Sequence, residues 1–180
     1  MKFRMVDRIL DWQCRRSIRG VKNVSFEEYR LKAPFGDAPA LPQSLLIEAM
    51  FQLGNWLIVL SSDFQRMGLL VRTQEIQFHD VLRPGERLLM TVEVRSYRDD
   101  GVLFDGRATA GERVVAVGTG CLATPLDLAG YFNPDDLRVL FDQIYQPFDA
   151  ARLLGMMKNR SPRNLVVNVG PTAKNELHNV

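Results

Sequence analysis

Gln43-Ser44-Leu45-Leu46-Ile47-Glu48-Ala49-Met50-Phe51-Gln52-Leu53-Gly54-Asn55-Trp56-Leu57-Ile58-Val59-Leu60 is the stretch on which the fold turns. It is too long for a strand and apolar on almost every face, so it reads as a buried helix. Pro42 stands just before it, where its fixed φ and missing N–H suit a helix start. Eighteen residues at 1.5 Å each give roughly 27 Å, the diameter of a small domain. A helix of that length and greasiness needs something wrapped around it.

The following residues supply the wrapping. Val71 to Phe78, Glu86 to Arg98, Val102 to Thr109 and Arg113 to Ala123 are four strand-like runs rich in Val, Leu and Thr. Asp99-Asp100-Gly101 and Ala110-Gly111-Glu112 read as hairpin turns between them. Met90, Val92 and Val94 alternate with Thr91, Glu93 and Arg95, the period of a half-buried strand. Before the helix, Met5 to Leu10 is short and mostly apolar, and Ile18 to Tyr29 reads as a further strand. Ala33 to Pro42 holds three prolines and a glycine and must be loop. The expected class is α+β, an antiparallel sheet wrapped around a long central helix.

Residues 1–124 are expected to form that domain and 125–180 a C-terminal extension. In the extension Asn133 is a good N-cap, Pro134 suits the first helical position, and Asp135 and Asp136 favour the positive end of the helix dipole. Leu137, Leu140, Phe141 and Ile144 follow at helical spacing, so 134–145 reads as an amphipathic helix. Asp149 to Met157 is a weaker helix candidate, Leu165 to Val169 a short strand, and the last ten residues a polar tail.

Composition narrows the function classes. The chain has 180 residues, 46% hydrophobic and 24% charged, the profile of a globular domain with a real core. A net charge of +2, from 23 basic and 21 acidic residues, gives no electrostatic case for nucleic acid. Arg15, Arg16, Arg19 and Lys22 crowd one stretch, and Lys158, Arg160 and Arg163 another. These are either solvated faces or contacts for an acidic partner such as a carrier protein. Cys14 and Cys121 form no C-x-x-C pair, so neither a disulfide framework nor a zinc site is expected. Charges interrupt the first eight residues too early for a signal peptide, and no run reaches 18 apolar residues without polar interruption. A cytoplasmic protein without a membrane span is the expectation.

The helix carries one chemically odd feature. Ser44, Glu48, Gln52 and Asn55 fall at i, i+4, i+8 and i+11, on one narrow face. A carboxyl among Leu, Ile, Ala and Met should be desolvated, a condition that suits a general acid or base. The alternative is an ion pair with an arginine, or hydrogen bonds across a dimer interface.

These residues carry a family resemblance. Val6-Asp7-Arg8-Ile9-Leu10 and Val21-Lys22-Asn23-Val24-Ser25 resemble the VDRVL and VKNVS segments of the β-hydroxyacyl-acyl-carrier-protein dehydratases. Phe35, Pro39 and Pro42 fall on that family's H-F-P-G-x-P-x-x-P-G loop. Leu46 to Gln52 is similar to L-x-E-A-M-A-Q at the start of its central helix. Phe78, Pro84-Gly85-Glu86 and Leu88 match F-x-x-P-V-x-P-G-D-x-L, and Gly106 to Cys121 resembles its last hairpin. The likeness covers residues 3 to about 124. It implies a hot-dog fold, an acyl thioester carried on acyl carrier protein or coenzyme A, and no metal or redox cofactor. It also implies a homodimer or higher homo-oligomer whose sites are shared between two chains.

What the resemblance implies for the site is specific. Glu48 takes the place of the helix carboxyl that gives a proton to the departing 3-hydroxyl, with Gln52 beside it. Phe35, Gly36 and Asp37 lie on the loop whose glycine N–H holds the thioester oxygen. The family's loop histidine, which takes the proton from C2, has no counterpart here: the spacing puts Pro34 or Ala33 at that position, and Gln43 stands where the family has glycine. The chain's two histidines lie elsewhere, His79 at a strand end and His178 in the tail. Three readings follow. One is a hydro-lyase with a modified site. Another is a subunit completing its site with a histidine-bearing paralogue. The third is a hot-dog thioesterase in which Glu48 activates water.

Overall fold

The structure is a computed structural model and describes residues 4–25 and 39–147. The helix read from the sequence is α1, Gln43–Ser61, and the Pro42 carbonyl accepts from the Leu45 and Leu46 N–H groups at its start. Seven strands surround it: β1 Arg8–Gln13, β2 Ser17–Asn23, β3 Arg66–Arg72, β4 Glu75–Phe78, β5 Arg87–Tyr97, β6 Val102–Ala110 and β7 Arg113–Asp127. All pair antiparallel in the order β1-β2-β5-β6-β7-β3, with β4 also on β7. This is the α+β hot-dog arrangement, and a second helix, α2 at Pro134–Ile144, follows the sheet after a short 3-10 turn at Leu128–Gly130.

Alternation along the strands decides what meets the helix. Leu88, Met90 and Val92 of β5 are fully buried, as are Ala108 of β6 and Val115 and Ala116 of β7. They pack with Leu46, Met50, Leu53 and Leu57, which recur every three or four residues along α1. A leucine fully buried in this way contributes about 1.5–3 kcal/mol. By length and a mean hydropathy of 1.4, α1 has the make-up of a membrane-crossing helix, yet half of that window is buried inside the fold. Two glycines let helix and sheet come close. A Cβ on Gly20 would lie 2.7 Å from Leu53 Cδ1 and 2.9 Å from the Arg8 carbonyl oxygen, and one on Gly54 would lie 3.0 Å from Phe104 Cζ.

Three strand readings need correction. The run expected from Val71 to Phe78 is two strands, β3 and β4, and β3 starts at Arg66. The hydrophobic alternation is blurred there because Gly68, tucked against Ile58, interrupts it. The N-terminal apolar run and Ile18–Tyr29 resolve into the β1–β2 hairpin, turning at Arg15 with φ 57°. Its residues after Ser25 lie outside the described ones, as do Asp149–Met157, Leu165–Val169 and the tail. β7 continues to Asp127, past residue 124.

α2 is built as its sequence indicates. The Asn133 side chain accepts from the Asp135 N–H at 3.0 Å, with Pro134 next and two aspartates in the first turn. Leu137, Phe141 and Ile144 pack onto the core.

Two outcomes test this packing. Gly20→Ala should destabilise by about 1–3 kcal/mol, since the Arg8 carbonyl cannot retreat from the added methyl; urea unfolding at unchanged slope measures it. Of the two thiols, Cys14 is exposed and Cys121 buried. Burial pushes the Cys121 thiol up, the Thr73 hydrogen bond opposing it, so less reactive thiolate forms. Ellman's reagent should label Cys14 in the native protein and Cys121 only after denaturation.

Candidate functional site

The polar face of α1 is where the sheet leaves the helix uncovered. Ser44 is exposed, while Glu48, Gln52 and Asn55 are half-buried. Gln52 Nε2 donates to Glu48 Oε1 at 2.8 Å, and Gln52 Oε1 accepts from the Met5 N–H at 2.7 Å. One amide thus orients the carboxylate and pins the segment that leads into β1. Asn55 Oδ1 accepts from the Gly68 N–H at 2.7 Å and ties β3 to the helix. Two of the four polar residues therefore answer backbone donors, and Glu48 is the acidic one of the set.

Glu48 is less withdrawn from water than its apolar neighbours suggest. Leu46, Ala49 and Met50 face the sheet and are buried. Glu48 points the other way, into a cleft of about 680 Å³ between α1 and α2. Trp56 and Val59 of α1, Met67 of β3 and Leu137 and Leu140 of α2 line its apolar length. That volume falls inside the range of roughly 300–1,000 Å³ common for small-molecule sites. Arg4, Asp136 and Gln143 add polar groups to the lining. A carboxyl in a largely apolar cleft is an arrangement suited to proton transfer on a ligand whose remainder is greasy.

The other sequence-predicted residues fall out as follows. Gln52 joins Glu48 in the cleft. Phe35, Gly36 and Asp37 lie outside the described residues, as does His178. His79 is exposed at the end of β4, donates its N–H to the Val115 carbonyl, and is absent from the cleft lining. The basic stretch is less of a surface than it reads. Lys22 is buried with its Nζ 3.7 Å from Asp7, and Arg19 pairs with Asp11, which leaves Arg15 and Arg16 as its exposed members, the Arg15 guanidinium lying 5.3 Å over the Tyr97 ring. Among the described residues no group of three or more His, Cys, Asp or Glu could hold a metal ion. Sequence reasoning missed Arg4, Met67 and the cleft-facing part of α2. The helical period of α2 was visible, but not which object its apolar side would face.

A family model described as a FabA-like domain matches residues 1–119. The chain belongs to the FabA-like domain family. It is 31% identical over 115 residues to a 3-hydroxyacyl-(acyl-carrier-protein) dehydratase FabZ from Caldanaerobacter subterraneus subsp. tengcongensis, covering 63% of this chain and 82% of that one. A FabZ from Caulobacter sp. (strain K31) is 32% identical over 117 residues, covering 63% and 72%. Among solved structures, smu.793 from Streptococcus mutans UA159 bound to acetyl CoA shares the fold with a TM-score of 0.54 at 11% identity, over 67% of this chain and 89% of that one. Zebra fish thioesterase superfamily member 2 shares it with a TM-score of 0.52 at 15% identity, over 66% and 79%. The FabA-like match stops within β7, so the 3-10 turn and α2 lie beyond it.

The division of labour along the stripe is testable by stability. Asn55→Ala strands the Gly68 N–H and should cost about 1–3 kcal/mol. Ser44→Ala, at an exposed position, should stay within about 0.5 kcal/mol of wild type. Equal urea midpoints for the two variants would contradict the assignment.

Proposed function

We propose that this FabA-like chain binds a β-hydroxyacyl thioester in the α1–α2 cleft and contributes the acid half of a dehydration site. Glu48 gives a proton to the departing 3-hydroxyl, which leaves as water as the C2–C3 double bond forms. The observation that carries this reading is the carboxyl of Glu48, held by Gln52, in a largely apolar cleft of about 680 Å³. The substrate class follows from the FabZ dehydratases that the chain resembles.

Elimination also needs a base for the C2 proton. Neither histidine of this chain falls on the position that the family's loop histidine takes, and losing a general base typically costs about 10²–10⁴-fold in rate. The base is therefore assigned to a second, histidine-bearing chain of the same family, with Glu48 completing the shared site. The hydrolytic reading rests on a narrower observation: among the described residues the cleft is lined by the carboxylates Glu48 and Asp136 and by no imidazole, and a helix carboxylate such as Glu48 also suits activation of water on a thioester.

Complementation separates these outcomes. The chain is co-expressed with a FabZ whose own helix carboxyl has been neutralised, and the purified mixture is given β-hydroxydecanoyl thioester. Enoyl product is expected from the mixture and not from either protein alone, and it should fall about 10²–10⁴-fold with Glu48→Gln. Free thiol released by the chain alone, and abolished by Glu48→Gln, would favour hydrolysis instead. Enoyl formation that survives Glu48→Gln would overturn both.

A further inference from the structure

We infer that α2 sets the length of acyl chain this protein accepts, with Leu140 as the residue that measures it; the inference rests on the acyl-thioester reading above. The cleft has two walls of different origin. One is α1, inside the region matched as a FabA-like domain; the other is α2, which lies beyond it. Whatever length preference the α2 wall imposes is thus a property of this chain's own addition.

The wall is fixed rather than loose. At its entry the Leu128 N–H donates to the Gln65 carbonyl at 2.9 Å, and at its exit the Gln146 N–H donates to the Ile9 carbonyl at 2.9 Å. Tyr145 also bridges Ile9 at the edge of β1. Between these ties Phe141 stacks on Tyr145 at 4.9 Å and meets Trp56 and Phe64 at 6.1 and 6.3 Å. The Arg138 guanidinium lies 4.4 Å over the Phe64 ring and bonds the Asp63 carbonyl. A strap fastened at both ends and stapled in its middle can act as a ruler, because a longer ligand cannot push it aside without breaking these contacts.

Leu140 is placed to do the measuring. Leu137, Phe141 and Ile144 pack onto the core, whereas Leu140 does not belong to that packing and lines the cleft. Gln52 and Asn55 commit their side-chain amide oxygens to backbone N–H groups, and although Asp136 and Gln143 of α2 also line the cleft, most of its lining is apolar, with Trp56, Val59, Met67 and Leu137 beside Leu140. From Glu48 to Val59, the last α1 residue in the lining, eleven residues span about 16 Å along the helix. The ligand class this fits is an unbranched, medium-length acyl group whose reacting carbons sit at Glu48 and whose tail ends against α2.

Unreactive S-alkyl coenzyme A thioethers test this on the full chain without requiring turnover. Calorimetric titration should find S-decyl-CoA bound about tenfold more tightly than S-butyl-CoA, with S-hexadecyl-CoA gaining nothing further. Leu140→Phe should weaken S-decyl-CoA about tenfold and leave S-butyl-CoA unchanged, while Leu140→Ala should tighten S-hexadecyl-CoA relative to S-decyl-CoA by a similar factor. If both variants keep the wild-type length preference, or wild type binds all three lengths alike, the ruler is wrong and the thioester reading stands. If wild type binds no thioether of any length, the thioester reading fails and the ruler with it.

Discussion

A nineteen-residue helix that is apolar around nearly its whole circumference cannot be left to water, and everything else in the structure answers that constraint. The sheet wraps the faces bearing Leu46, Met50, Leu53 and Leu57, and the glycines at 20 and 54 let the layers approach until side chains interlock. What remains is the strip that carries Glu48, Gln52 and Asn55. There the sheet stops, and a segment from beyond the FabA-like match crosses instead, tied to β1 at its exit. The cleft is the space left between a helix that had to be covered and a second helix that covers it incompletely.

The strip itself divides into structural and chemical parts. Gln52 and Asn55 are hydrogen-bonded to backbone donors of segments far away in sequence, and so hold Met5 and Gly68 against α1. Such bonds cost little to make and much to leave unmade, about 1–3 kcal/mol for each stranded donor. Glu48 has no such structural task, since its partner is the Gln52 side chain, which is itself anchored. A carboxyl group oriented by an anchored neighbour and open to a cleft can, when protonated, give its proton to a bound hydroxyl.

How much of this could be read in advance follows from the range of the forces involved. α1 and the hairpins on either side of β6 were legible, because periodicity and turn chemistry are local. The cap of α2 was legible for the same reason, and Asn133 fills it by accepting from the Asp135 N–H. β3 was not, because a glycine there serves a contact with Ile58 rather than the strand pattern. Lys22 looked like surface and is 2% exposed, since a cation beside Asp7 can be buried and neither residue signals the other along the chain. In the site, Glu48 and Gln52 could be placed on one face from spacing alone. The second wall of the cleft could not, because amphipathicity says that a helix docks and not on what.

The most direct test is a crystal structure of the chain with an unreactive β-hydroxydecanoyl-pantetheine amide. The account predicts the ligand hydroxyl within about 2.6–3.2 Å of a Glu48 carboxylate oxygen, and its alkyl tail running along α1 past Trp56 to end at Leu140. A ligand seated elsewhere, or a Glu48 locked in an ion pair that makes no contact with it, would contradict the account.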